Sequence, residues 1–289
     1  MQPLNPMRWD PAEEEAPEGV FIGEPDPAAA PRLLGMPAAV VARARPDLQE
    51  AGAEAAFLAE ALAGVRAALA GRRPGDPPVA FPLDGLAPAR RRALDGLLGQ
   101  GEVSIVVAGQ HTREIQETVL TGLWRVRTTD ATGRVLAEEL EVAEIPDAVL
   151  LAAEHGTLPA VPPPPPAEGL MNAPALIEEI RARAASWRPG APNHVISFTL
   201  LPVNEADMAL LRATLGTGPV LGLSRGYGHC RVQLTGCRRV WSVQYLNARD
   251  AIVLDTLEIG GVPEAILAAA EDFADSALRL GEILEAYAP

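Results

Sequence analysis

The chain has 289 residues, 48% of them hydrophobic, enough for one large domain or two small ones with a substantial core. Its formal net charge of −14 would repel a nucleic-acid backbone over most of the surface and suits a basic or arginine-rich partner better. Two cysteines supply no disulfide framework, and no segment reaches the roughly 18 uninterrupted apolar residues of a membrane span, so the expectation is a soluble, cytoplasmic protein without membrane insertion.

Residues 1–46 are acidic and rich in Pro and Ala, too polar to offset the cost of ordering, and are expected to form an extended or disordered lead. From 47 to 158 the first α+β repeat is expected. It opens with "EAAFLAEALAGVRAALAGRRPG", whose apolar spacing of three and four predicts an amphipathic helix closed by Arg-Pro-Gly. "VAFPL" reads as a strand and "APARRRALDGLL" as a helix. "EVSIVVAG", "EIQETVLTGLWRVRT" and "RVLAEELEV" read as three strands, and a last helix is expected at Pro146. Residues 159–169 form a linker in which Pro162–Pro166 predicts a stiff polyproline II spacer.

Residues 170–289 run through the same series. "APALIEEIRARAASWRPG" is the helix, "HVISFTLLP" the strand, and "NEADMALLRATL" the helix with Asn204 as N-cap. "PVLGLSRG", "RVQLTGCRRVWSVQYL" and "AIVLDTLEI" are the strands, and the closing helix is expected at Pro263. A shift of 117 residues lays Val79–Glu154 on Ile196–Glu271 without a gap, with 22 of 76 positions identical. Chance gives roughly one in fifteen, so the match signals an internal duplication. The opening helices align only after a two-residue gap. The expected fold is therefore α+β, a tandem duplication of an α-β-α-β-β-β-α unit, with mainly antiparallel sheets covered by helices and a pseudo-twofold arrangement. Ile115/Glu117/Val119 and Val240/Ser242/Gln244 suggest half-exposed strands. Trp124 and Trp241 occupy equivalent strand positions and are expected as paired core anchors.

Chemical signals are sparse. Cys230, Cys237, His229 and His194 lack the spacing of a metal site, and neither cysteine has a cysteine counterpart in the first repeat. Cys230 is the sole candidate for an activated thiol, but strand alternation turns its neighbour His229 to the opposite face. The carboxylate pairs Glu138/Glu139 and Asp272/Asp275 lie on runs that resemble solvated edges or helix faces. The densest stretch is "GLSRGYGHC". Gly226 aligns with Gly109, which suggests a turn needing glycine in both copies, whereas Ser224, Arg225, Tyr227, His229 and Arg231 belong to the second copy alone. A glycine-shaped turn presenting arginine and tyrosine suits protein recognition.

"MNAPALIEEI", "HVISFTLLPVNEAD", "LGTGPVLGLSRGYGHCRV", "RRVWSVQYLNARDAIVLDTLEI" and "VPEAILAAAEDFADSALRLGEILEAY" together resemble the hydrogenase expression/formation proteins of the HupH/HyaF type. The resemblance is densest from Met171 to Tyr287 and identifies the second repeat with a HupH-type C-terminal domain. It implies a non-catalytic accessory protein, without a cofactor or resident metal, for maturation of membrane-bound uptake [NiFe] hydrogenase. The implied partner is the iron–sulfur small-subunit precursor before twin-arginine export, with a thioredoxin-like companion. Ser224, Arg225, Gly226, Tyr227, Gly228 and Cys230 are then the expected contact residues, with Asn172, Arg239, Gln244 and Tyr245 beside them. The alternative is a thiol-dependent or iron–sulfur cluster-handling protein using Cys230. His229 stands where members of this family often carry Asn, so a family-wide histidine ligand is not implied.

Overall fold

The computed structural model describes residues 48–226 and 229–287. The proline-rich lead expected over residues 1–46 lies outside them. The first copy runs α1 (Leu48–Gly71), β1 (Val79–Pro82), α2 (Pro88–Leu98), β2 (Val103–Val107), β3 (Thr112–Glu117), β4 (Leu123–Thr129), β5 (Val135–Val142) and α3 (Asp147–His155). The second runs α4 (Ala173–Ser186), β6 (His194–Ser197), α5 (Glu205–Leu215), β7 (Val220–Ser224), β8 (His229–Leu234), β9 (Val240–Leu246), β10 (Ile252–Ile259), a 3₁₀ turn and α6 (Asp272–Tyr287). Strands follow the order β1-β5-β4-β3-β2 in the first copy and β7-β8-β9-β10-β6 in the second, antiparallel throughout each series. The class is α+β, as the patterning predicts.

Each copy has one strand more than the patterning suggests, because "EIQETVLTGLWRVRT" and its counterpart each fold as two. The turn between them carries apolar residues and no Asn-Gly or Pro, so the strand pattern reads straight through it. A threonine closes it instead. Thr118 Oγ1 accepts from the Leu120 N–H at 3.1 Å, and the Thr118 N–H donates to the Leu123 carbonyl at 2.9 Å. Thr235 repeats both bonds with Cys237 and Val240, at 3.1 and 3.0 Å. The turn needs a left-handed residue, supplied by Gly122 (φ 83°) in the first copy and by Arg239 (φ 66°) in the second.

Beneath the turn, Gln116 Nε2 donates to the carbonyls of Gly101, Val103 and Glu117, and Gln233 Nε2 to those of Gly218, Val220 and Leu234. The three acceptors correspond one for one under the shift of 117. Trp124 and Trp241 are both buried, and Trp124 Nε1 donates to the Ala143 carbonyl at 2.8 Å. A buried side chain of that size contributes upward of about 2 kcal/mol to each core.

β9 departs from the half-exposed expectation: Val240, Ser242 and Gln244 are buried, as are Trp241 and Val243 on the other face. α4 and α5 cover the first of these faces, where Leu176, Ile177, Ile180 and Leu211 pack with Val240 and Leu257. Ile115 and Glu117 are buried in β3 too, and Val119 is exposed because it sits in the turn rather than the strand.

Pairing also relocates the two-residue gap between the copies. Val79 opposes Val142, and His194, not Ile196, opposes the equivalent Ile259. The extra residues therefore fall after β6. Five residues, 83–87, join β1 to α2, and seven, 198–204, join β6 to α5. This longer connection carries Leu200, which is 83% exposed, and Leu201.

The helix expected at Pro263 is a 3₁₀ turn, Glu264–Ile266. The Ala268 N–H then donates to the Glu144 carbonyl instead of continuing a helix, and α6 starts only at Asp272. One compact unit accordingly combines the first copy up to Ala148 with Leu267 onward, and the other holds Val149–Ile266. Each copy's closing segment thus packs in the unit built on the other copy. In the first unit, α6 packs along α1, and Phe273 lies so close over Gly122 that a Cβ there would meet its ring at 2.3 Å. In the second, Leu158 N–H donates to the Gly236 carbonyl and Arg238 ion-pairs with Glu154 at 2.7 Å. Over the proline run, Arg181 of α4 donates to the carbonyls of Val161 and Pro162, pinning its start.

Candidate functional site

The motif-bearing end of the second unit is organised by one row of paired residues. Leu223 opposes Arg231, Arg231 opposes Gln244, and Gln244 opposes Asp255. Beyond Asp255, the Phe198 N–H donates to its carbonyl at 2.9 Å, and Thr199 Oγ1 accepts from its N–H at 3.1 Å. The row links the β7–β8 connection, where Arg225 and Gly226 lie, to the exposed 198–204 connection, over about 19 Å at ordinary strand spacing.

Strand alternation divides the expected residues between two faces. Cys230 and Tyr245 share one face and Gln244 lies on the other. Cys230 is buried, and its thiol is pushed up to about 12 by that burial and by the charge of Glu258, against the effect of a hydrogen bond with Tyr245. Tyr245 is itself raised, first by burial and then by Cys230. Cys237, in the turn at the far end of β8, is pushed up to about 11 by burial. Neither thiol has the thiolate character that nucleophilic or cluster chemistry needs near neutral pH. His229 is exposed and lies 3.5 Å from Asp250, and His194 hydrogen-bonds Glu179 at 2.7 Å. Among the described residues no group of three His, Cys, Asp or Glu is placed to hold a metal ion.

Ser224 ends β7 opposite Cys230, and Arg225 is exposed just beyond it. Tyr227 and Gly228 lie outside the described residues. The reading of Gly109 as a required glycine does not hold: it has no left-handed φ, and a Cβ would meet only the His111 carbonyl at 3.6 Å.

Asn172 joins the site indirectly. Its Nδ2 donates to the Pro202 carbonyl at 2.6 Å, and its N–H, with those of Met171 and Ala173, donates to Asp207 Oδ1. Asp207 also completes the capping box with Asn204 at the start of α5. Burial works to raise the Asp207 carboxyl, but the backbone donors of Ala173, Met171, Asn204 and Asn172 outweigh it and hold it below the usual range. The two helix starts are thereby tied together beside the exposed connection. Arg239 stands apart, in the turn at the opposite end of β8, donating to the Ala184 carbonyl at 3.1 Å over the ring of Trp187.

Asp255, Leu200 and Leu201 carry no distinguishing signal in the sequence, whereas Arg231 stands out there only as a residue of the second copy alone. Burial pushes the Asp255 carboxyl up to about 6, against a hydrogen bond from Gln244 and the charge of Arg212. Asp255 Oδ1 and Arg231 Nε are buried with no hydrogen-bond partner among the described residues. Comparing charges rather than identities between the copies would have found Asp255 and its neighbours. Arg231, Gln244, Asp255 and Arg212 stand at the positions of Glu114, Arg127, Glu138 and Asp95. Glu138 is no solvated edge residue: it is buried and ion-paired with Arg91 and Arg125, with Arg127 at 3.8 Å. The network needs the arginines of β4 and α2 to converge on one carboxylate, which no single strand pattern reveals.

No helix among the described residues is long and apolar enough to cross a membrane. The family model of the HupH hydrogenase expression protein, C-terminal conserved region, matches residues 36–157 and again 170–287, so it falls once on each copy. The chain is 45% identical over 239 residues to the hydrogenase expression/formation protein HupH of Rhizobium leguminosarum bv. viciae, covering 80% of this chain and 79% of that one. It is 39% identical over 267 residues to HoxQ of Azotobacter vinelandii, covering 89% and 92%. Against the hydrogenase-1 operon protein HyaF of Escherichia coli K12 the identity is 38% over 198 residues, 68% of each chain. With both copies matched and most of the chain aligned, the protein belongs to the HupH/HoxQ/HyaF family of hydrogenase expression/formation proteins.

Proposed function

We propose that this chain is a non-catalytic accessory protein in the maturation of membrane-bound uptake [NiFe] hydrogenase. It acts in the cytoplasm, holding the iron–sulfur small-subunit precursor before twin-arginine export, alongside a thioredoxin-like companion. Family membership supports the hydrogenase setting, because the relatives are named as hydrogenase expression/formation proteins. One observation favours holding over chemistry: Cys230 is buried with its thiol pushed up to about 12, which leaves it protonated at neutral pH. The contact surface in this reading is the motif-bearing end of the second copy, with Ser224 at the end of β7, Arg225 and Gly226 after it, Tyr227 and Gly228 next in the sequence, and Gln244, Tyr245, Cys230 and Asn172 as the further contact residues. Arg239 holds α4 against the turn instead.

Co-purification of the tagged protein with the small-subunit precursor, with and without its leader, tests the reading. Capture of the precursor is the expected result, and replacement of Arg225 and Tyr227 together by Ala weakens it without unfolding the protein. No capture, together with iron–sulfur absorption on this protein alone, would contradict it and favour a cluster-handling role for Cys230.

A further inference from the structure

The two copies answer the same electrostatic problem differently. In the first, the buried carboxylate Glu138 is met within the chain by the guanidinium groups of Arg91 and Arg125, with Arg127 beside them. In the second, the equivalent carboxylate is Asp255, and the three arginine positions are Met208, Ser242 and Gln244. Gln244 Nε2 reaches Asp255 Oδ2 at 3.4 Å, and Oδ1 is left without a hydrogen-bond partner among the described residues. Arg212 favours the ionised carboxyl through its charge, and Arg231 lies two strands away across the neutral Gln244. Immediately beside Asp255, the connection that is two residues longer than its first-copy counterpart exposes Leu200 and Leu201, and Val253 is exposed two residues along β10. A half-buried carboxylate with one oxygen short of a donor, rimmed by exposed apolar side chains, is complementary to an arginine flanked by apolar residues.

We infer that Asp255, with Gln244, receives an arginine side chain from an extended segment of a client protein, and that Leu200 and Leu201 hold the apolar residue next to it. The client's guanidinium supplies the charge that Arg91 and Arg125 supply to Glu138 in the first copy. This rests on the reading that the chain binds a client, and it assigns the chemistry of the contact to residues outside the glycine-rich connection.

The test is quantitative capture of the hydrogenase small-subunit precursor by the full chain and by Asp255→Asn, with thermal melting of both. Loss of the carboxylate charge is expected to weaken capture by at least about 30-fold while the variant melts no lower than the parent. Replacing the precursor's arginines singly by Gln should then reveal one position that costs affinity against the parent and nothing against Asp255→Asn. Leu200→Ser, at a side chain that is 83% exposed, should weaken capture as well. Undiminished capture by Asp255→Asn overturns this inference and leaves the client reading standing; no capture by the parent chain overturns both.

Discussion

In the first copy, the polar row under the sheet is closed at its carboxylate: Glu138 has its arginines, and Asp95 ion-pairs with Arg125 at 2.6 Å, while Arg127 Nε is buried without a hydrogen-bond partner among the described residues. In the second, the same row is Arg231, Gln244 and Asp255, with two buried polar atoms lacking partners. Much of the framework around the rows is shared. Gln116 and Gln233 bind equivalent carbonyls, Thr118 and Thr235 close equivalent turns, and Trp124 and Trp241 fill equivalent cores. The two copies thus share a scaffold, of which one surrounds its carboxylate with arginines and the other leaves one carboxylate oxygen, Asp255 Oδ1, without a hydrogen-bond partner among the described residues. A polar group kept buried without a partner costs stability, and such costs concentrate where a chain binds something else.

The sharpest way to break this comparison is to open the closed row. Glu138→Ala strands the arginines around a buried site and should destabilise the protein by about 3–5 kcal/mol, read by chemical denaturation. The shared scaffold comes next. Gln116→Ala and Gln233→Ala each remove a side-chain amide that serves three backbone carbonyls, and each should cost about 2–3 kcal/mol; markedly unequal costs would show that the copies are not equivalent.

The open row should respond in the opposite sense. Asp255 titrates at about 6 when folded, above its ordinary 3.8, so the folded chain binds this proton more tightly than the unfolded one. Its contribution is fullest below pH 3.8 and is lost as pH rises through about 6. Asp255→Asn should therefore stabilise the protein at pH 7 by on the order of 1–3 kcal/mol, and its melting temperature should change less between pH 5 and 7 than the parent's. Smallest is Asn204→Ala, which removes the cap of α5 in the second copy and should cost about 1 kcal/mol; α2 in the first copy has no side-chain cap to lose.

Much of the scaffold was legible because it rests on identities. The Gln, Thr and Trp positions coincide under one shift, and the spacing of Leu62, Val65, Ile177 and Ile180 marks helix faces that are indeed buried. The β3–β4 turn was hidden because a threonine side chain, not a turn dipeptide, closes it. The exchange of closing segments was hidden for a different reason. Nothing local to residues 147–158 or 267–287 records which unit they will join. The candidate site was legible only where it carried unusual residues. Arg225 and Gly226 stand out in sequence, whereas Asp255 is one acidic residue in a strand until Arg91, Arg125 and Arg127 are seen around its counterpart.

The central claim, that the second copy's open row is the client surface, is tested most directly by closing that row from within. Gln244→Arg restores the residue type of the equivalent Arg127 opposite Asp255. Capture of the small-subunit precursor is measured beside a first-copy control in which the exposed Val135 and Leu136 are both replaced by Ser. The account predicts that Gln244→Arg loses capture while remaining folded and that the control captures like the parent. Parent-like capture by Gln244→Arg, or its loss in the control alone, would contradict it.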